Sequence, residues 1–392
     1  MDDSLAEPRF AARRWTFRIP AYILLPFYLM LIGVALRYAV YVRTTNHWGF
    51  TEYLRALCVY DCNAYERLAL NGYEGRPSGF DKGDANNWAF FPLYSILVWA
   101  INRLTGLSML YAGSALTCLL TVWAAILSWP LFDRNFRAYF LFCFFLFLGP
   151  FSYYFTTLYT EALFILLTVA GFVLLRQRDY VIAGLTGALM SATRSTGLLF
   201  MAAILIAALQ NHLKDGGTAR GFFATLWKRT DLMLAVALVP IGICCFAIYL
   251  YVHSGDALAF VHIQRAWGRA FANPFWNLWL TLELQFKNGN YRTISTDLAF
   301  GLAAIFGLAM SAIMAWKGKW DWAIFSLFGV LLPLSTNAYS MLRFVVGLAP
   351  VLIVASVLFS RWKWLFYLLL PALLILDVLL LPSWISRSYY LM

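Results

Sequence analysis

Between residues 20 and 381 the chain is a succession of apolar runs, each about 14 to 24 residues long, parted by short polar or basic stretches. A bilayer core about 30 Å thick takes about 20 apolar residues of helix to cross. In hydrocarbon every backbone N–H and C=O must be satisfied within the protein, so such runs fold as helices. About eleven runs fit: 20 to 42, 108 to 131, 138 to 155, 161 to 176, 180 to 193, 197 to 211, 232 to 252, 296 to 316, 320 to 335, 342 to 360 and 363 to 381. Several are too short to cross alone and are read as broken or buried helices around a cavity. Of the 392 residues 62% are hydrophobic and 12% charged, which leaves no soluble domain. The expected fold is an all-α polytopic membrane protein, one integral domain over 1–392.

The net charge of +11 does not point to nucleic acid, because the basic residues sit between apolar runs and form no stripe along one face. Their clusters are Arg9 to Arg18, Arg134 with Arg137, Arg176 with Arg178, Lys214 to Arg229, Lys317 with Lys319, and Arg361 with Lys363. Placing all of them inside fixes the orientation, with the N-terminus cytoplasmic and the C-terminus outside. The first run has no signal-peptide cleavage pattern and is expected to stay as an anchor.

With that orientation residues 43–107 form a first extracytoplasmic loop, residues 253–295 a second, and STNAYSMLR at 335–343 a short third. The first is expected to hold two interfacial helix-like pieces, 52 to 70 and 88 to 104, around a Gly/Asp-rich stretch at 71 to 87. Polar chemistry therefore gathers on one face. A transporter places its site at the midplane and carries inverted repeats, and no repeat is evident here.

Glu161 and Arg194 interrupt membrane-grade sequence. A charge at the bilayer centre costs about 2.5 to 3.5 kcal/mol even on the lenient scale, so both should face a protected polar cavity. Glu161 is open to three readings, a second acid, a metal ligand or a buried partner of Arg194, and the ion pair is favoured. Asp61 shares a helical face with Tyr65 and lies near Glu66. It is either a solvated loop acid or a general base at the cavity mouth. Arg194, Arg265, Arg269 and Arg343 belong to no cytoplasmic cluster, and their planar donor forks suit phosphate oxygens, unless each pairs with a carboxylate. His262 and Gln264 stand beside Arg265, and Asn337 stands near Arg343; both groups are candidates for ligand contact. Trp88, Trp267 and Trp276 are placed where a sugar ring could stack. Asp377 is read as a helix–helix hydrogen bond. Cys58 and Cys62 stand at helical i, i+4 spacing and are read as unpaired, and Cys244 and Cys245 as membrane filler. No metal-ligand spacing occurs, although Glu66, Asp81 and Asp84 are acids that could approach a cation, so metal dependence is open.

Five words in order, YDCNAYERLALNGYE with WAFFPLY, FTTLYTEALF, GLTGALMSATRSTGLLF, FVHIQRAWGRAF and LRFVVGLAP, resemble the PIG-V family. These are the GPI mannosyltransferase II proteins and their bacterial relatives, within the GT-C class of membrane glycosyltransferases. The resemblance spans about residues 52 to 350. It implies a GT-C-like bundle, a sugar on a polyprenyl phosphate donor, most often mannose on dolichyl phosphate, and transfer to a lipid-linked acceptor on the extracytoplasmic face. Asp61 matches the acid of the family's Trp-Asp word, with Tyr60 in place of the Trp, and Thr196 replaces the Asn that usually follows Arg-Ser. The length favours a prokaryotic protein of the plasma membrane, the endoplasmic reticulum being the alternative for a eukaryotic one. The competing expectations are a flippase of lipid-linked sugars and a transferase with another sugar or a protein acceptor.

Overall fold

A computed structural model describes residues 20–74, 87–287 and 296–386. Every regular element among them is a helix. Six stretches are long and apolar enough to cross a bilayer: Ala21–Thr45, Met109–Phe132, Ser195–Lys214, Thr230–Ser254, Asp297–Trp316 and Lys363–Ile385. Four more apolar helices are too short to cross alone: Phe136–Leu148, Tyr180–Thr193, Trp320–Leu334 and Ala349–Phe359. The protein is thus an all-α polytopic membrane protein in which short helices pack among long ones.

The chain enters as α1 (Ala21–Thr45) and then makes α2 (Phe50–Leu57) and α3 (Asp61–Asn71). The single helical piece expected over 52 to 70 is broken at residues 58–60. Tyr60 has φ 53° there, so the helix cannot run through. The break also corrects the reading of the cysteines. Off the continuous helix, Cys58 and Cys62 approach to 5.1 Å between Cα atoms and form a disulfide.

After the undescribed stretch, α4 (Pro92–Thr105) starts on its proline, whose missing N–H costs nothing at a helix's first position. Next come α5 (Met109–Ser128) and α6 (Phe136–Leu148). An aromatic, irregular segment then leads to α7 (Glu161–Gln177), which packs between α5 and α8 (Tyr180–Thr193). A 3-10 turn at Ser195–Leu199 folds back on α8. A Cβ on Gly197 would stand 2.3 Å from the Met190 backbone, so only glycine allows that approach. The chain continues through α9 (Phe200–Lys214), α10 (Ala219–Thr225), α11 (Thr230–Leu238) and α12 (Ile241–Ser254), the last two parted at Pro240. After α13 (Ala259–His262) and α14 (Pro274–Lys287) the chain runs through α15 (Thr296–Trp316), α16 (Trp320–Leu334), α17 (Met341–Val346), α18 (Ala349–Phe359) and α19 (Lys363–Ile385).

Two buried polar clusters interrupt this apolar body. One contains Asp61 and is described below. In the other, Arg37 of α1 donates to Phe147 O at 2.8 Å and to Ser152 Oγ at 2.5 Å, and Ser152 donates to Asp377 Oδ1 of α19 at 3.1 Å. Arg37 and Asp377 each lie eight residues before the end of their helix, about 12 Å below that face. Charges at that depth are what a transport site would need, yet Arg37 is 0% and Asp377 1% exposed. The cluster ties α1 and α19 to the segment before α7, which makes Asp377 a tertiary tether.

Candidate active site

Asp61 is the first residue of α3 and Glu161 the first of α7, where a helix dipole favours a carboxylate. Arg194 closes α8 in extended conformation, at the end that favours a cation. Local structure has therefore placed three charges where the backbone welcomes them, and the packing of α3, α7, α8 and α17 brings them together.

Arg343, on α17, joins the others. Its Nε donates to Glu161 Oε1 and its Nη1 to Asp61 Oδ2. Arg194 Nη2 donates to the same Glu161 Oε1 at 3.0 Å. The result is a line of alternating charge, Asp61, Arg343, Glu161, Arg194, with the Glu161 side chain fully buried, that of Arg343 9% exposed and that of Asp61 35% exposed. The Asp61 end is the more open of the two, Arg194 at the other end being 13% exposed. Buried ions of this kind persist because each finds a partner in good geometry.

Aromatic rings carry the guanidinium groups. Arg343 lies over Tyr159 at 4.9 Å and Tyr154 at 5.9 Å, while Arg194 lies over Phe164 and Phe344. Arg269 approaches Phe344 as well, at 5.6 Å. Burial pushes the Arg269 guanidinium below its usual value, Asp61 opposes that shift, and Arg343 adds to it. Arg269 makes no ion pair among the described residues. It is a partly buried cation within electrostatic range of Asp61 with no carboxylate of its own among the described residues.

The turn before Asp61 is clamped on several sides. Trp384 Nε1 donates to Leu57 O at 3.0 Å, and Tyr159 O–H donates to Val59 O at 2.8 Å. The Tyr60 ring stands edge-on to Trp384 at 5.4 Å, and the disulfide closes 58 to 62. Tyr65 is buried below, 3.4 Å from Thr160 Oγ1 through its hydroxyl.

Other candidates lie elsewhere. Glu66 is engaged by Arg55, with Nη2 to Oε1 at 3.0 Å. His262 is exposed and meets Asp256 through Nδ1 at 2.7 Å. Gln264 donates to Phe260 O at 3.3 Å, and Arg265 is exposed. Among the described residues no contact joins these three to the Asp61 line. Asn337 accepts from Tyr339 N at 3.1 Å and so shapes the turn before α17. Trp88 corrects the stacking expectation: it is buried among Phe91, Phe246 and Phe260 and donates Nε1 to Glu74 O at 2.8 Å, leaving no face for a sugar. Trp276 is 57% exposed on α14, and the Trp267 side chain lies outside the described residues. No group of three His, Cys, Asp or Glu side chains converges among the described residues, and Asp81 and Asp84 lie outside them. Sequence reasoning missed Arg37 altogether, although an arginine inside the first apolar run was the natural partner for Asp377 inside the last.

Comparison with known proteins returns no matching family model, and no curated protein matches the chain. Among solved structures the chain is similar to the Archaeoglobus fulgidus oligosaccharyltransferase. The form with zinc and sulfate gives a TM-score of 0.49 at 15% identity, over 92% of this chain and 53% of that one. The apo form gives 0.44 at 14% over 96% and 56%. The form tethered to an acceptor peptide with the NVT sequon gives 0.44 at 13% over 93% and 59%. The chain thus spans little more than half the length of those structures. At these scores the likeness carries no weight for the chemistry of the site, and the PIG-V resemblance rests on the short words quoted above.

Proposed function

We propose that the protein is a GT-C-class glycosyltransferase that moves a sugar, mannose by the family resemblance, from a polyprenyl phosphate to a hydroxyl of a lipid-linked acceptor on the extracytoplasmic face. The observation that carries this reading is one partly open carboxylate, Asp61, backed by a buried guanidinium and facing the unpaired cation Arg269. A base for a hydroxyl and a cation for a departing phosphate are the two things that an inverting displacement needs.

In the proposed reaction the acceptor oxygen attacks the anomeric carbon as its bond to phosphate oxygen breaks. The attacking hydroxyl becomes acidic only as the new C–O bond forms, so Asp61 within hydrogen-bond reach collects its proton late. The polyprenyl phosphate leaves with both electrons of the broken bond. Arg269 replaces Arg265 and His262 as the first phosphate contact, since those two are exposed and away from the line. Arg343 and Arg194 are held by carboxylates and act from behind, Arg343 by orienting Asp61. An apolar groove of about 390 Å³ between α1, α2 and α5, lined by Met30, Val34, Phe50, Leu54 and Ala115, is suited to a lipid chain beside the helix that leads to Asp61.

Arg269→Gln is expected to raise KM for the donor about tenfold or more, as loss of a charge-assisted hydrogen bond would. Steady-state kinetics against polyprenyl phosphate mannose measure it, and an unchanged donor KM would take Arg269 out of phosphate binding. Reduction of the Cys58–Cys62 bond is expected to slow turnover about tenfold by loosening the Asp61 turn. Transfer rates with and without a thiol reductant, compared with the Cys58→Ser, Cys62→Ser protein, check this, because the variant should be slow in both conditions.

A further inference from the structure

The turns on the face opposite Asp61 form a second, open cavity of about 650 Å³, lined by Trp129, Pro130, Asp133, Arg134, Val173 and Arg176 among others. Glu161 and Gln177 mark the two ends of α7, so the cavity lies about 24 Å from the Asp61 line. Its lining comes from the turn between α5 and α6, with Asp133 and Arg134, and from the end of α7, with Arg176. Lys319, in the turn between α15 and α16, stands within electrostatic range of Asp133 and Arg176.

Burial lowers the Lys319 amine below its usual value, Asp133 and Asp321 oppose that shift, and Arg176 adds to it least. Burial, then Arg361 and Lys319, lower the Lys317 amine. Asp133 is taken by Arg176 at 2.7 Å, and Arg176 also donates to Pro130 O at 2.7 Å. Arg137 donates to Ser360 O at 3.3 Å. Arg134 lines the cavity in left-handed conformation, φ 64°, and makes no ion pair among the described residues. An exposed guanidinium that lines a cavity without an ion pair, beside Arg176 and near Lys319, fits an anion, and its planar fork suits phosphate.

The level of the cavity in the membrane decides the kind of anion. Trp316, Trp320, Trp362 and Trp364 stand exposed on the turns that carry Lys319 and Arg361, the position of an aromatic belt at the headgroup boundary. We infer that this cavity binds the phosphate of an anionic phospholipid headgroup from the leaflet on that face, with Arg134 and Lys319 as its principal contacts. The site is separate from the proposed transfer reaction and does not depend on it.

Thermal unfolding of the full chain in neutral detergent tests the inference. Added phosphatidylglycerol is expected to raise the midpoint by about 5 °C, while phosphatidylcholine leaves it unchanged. The Arg134→Gln, Lys319→Gln protein should lose most of that rise. Arg134→Gln alone, at an exposed position, should lose part of the rise. An equal rise with phosphatidylcholine, or a full rise in the double variant, overturns the site. A rise with inorganic pyrophosphate alone that matches phosphatidylglycerol overturns the lipid as its occupant.

Discussion

Asp61→Asn protein given radiolabelled polyprenyl phosphate mannose and a membrane-lipid extract is expected to transfer sugar at least about 10²-fold more slowly than wild type. Asparagine has the same shape and can still accept from Arg343 Nη1 through its amide oxygen, so the turn pinned by Trp384 and Tyr159 should stay in place. Donor binding and the unfolding midpoint should therefore change little. Loss of turnover with binding intact is the signature of a missing base, whereas wild-type transfer by the variant would remove Asp61 from that role.

Glu161→Gln carries the largest expected cost in stability. One carboxylate oxygen, Oε1, accepts from both Arg343 and Arg194, and the side chain is fully buried. Neutralising it leaves two guanidinium groups facing each other without their shared anion. Removing one partner of a buried pair costs about 3 to 5 kcal/mol, which in a chain of this size lowers the midpoint by roughly 5 °C. Adding Arg194→Gln to the same protein should restore part of the loss, since Asp61 and Arg343 then form a balanced pair. Thermal unfolding of the two single variants and the double closes the cycle. Strict additivity would mean that Glu161 and Arg194 do not share a charge network.

What the sequence made legible followed from solvent physics. Apolar length led to an all-helical chain, because hydrocarbon leaves the backbone no alternative, although the runs at 232–252 and 342–360 are each broken into two helices. The expense of Glu161 and Arg194 in an apolar run brought them forward as partners, and the structure pairs them. What remained hidden depended on tertiary closure. The break between α2 and α3 is a Tyr60 with positive φ, a conformation no residue pattern there announced, and the disulfide follows from the break. Trp88 looked available because it sits in a loop, but burial depends on α12 and α13 packing over it. Arg265 and Arg269 are four residues apart and alike on paper, yet a 3-10 turn leaves the first in solvent and the second against Phe344. For Arg343 the sequence leaves open a phosphate contact or a carboxylate partner, and nothing local shows that carboxylates from two other helices claim it.

The clamp on the Asp61 turn has a consequence for the order in which the protein is made. Glu161 can find Arg194 only 33 residues after itself, Arg343 comes 182 residues later, and Trp384 follows its partner Leu57 by 327. At about 5 to 20 residues per second of synthesis, roughly 10 to 35 s separate Glu161 from Arg343. During that interval Arg194 is the earlier partner for the buried acid. Asp61 acquires its guanidinium and its tryptophan brace only after the C-terminal helices arrive, so a nascent chain holds the parts of its site long before it holds the site.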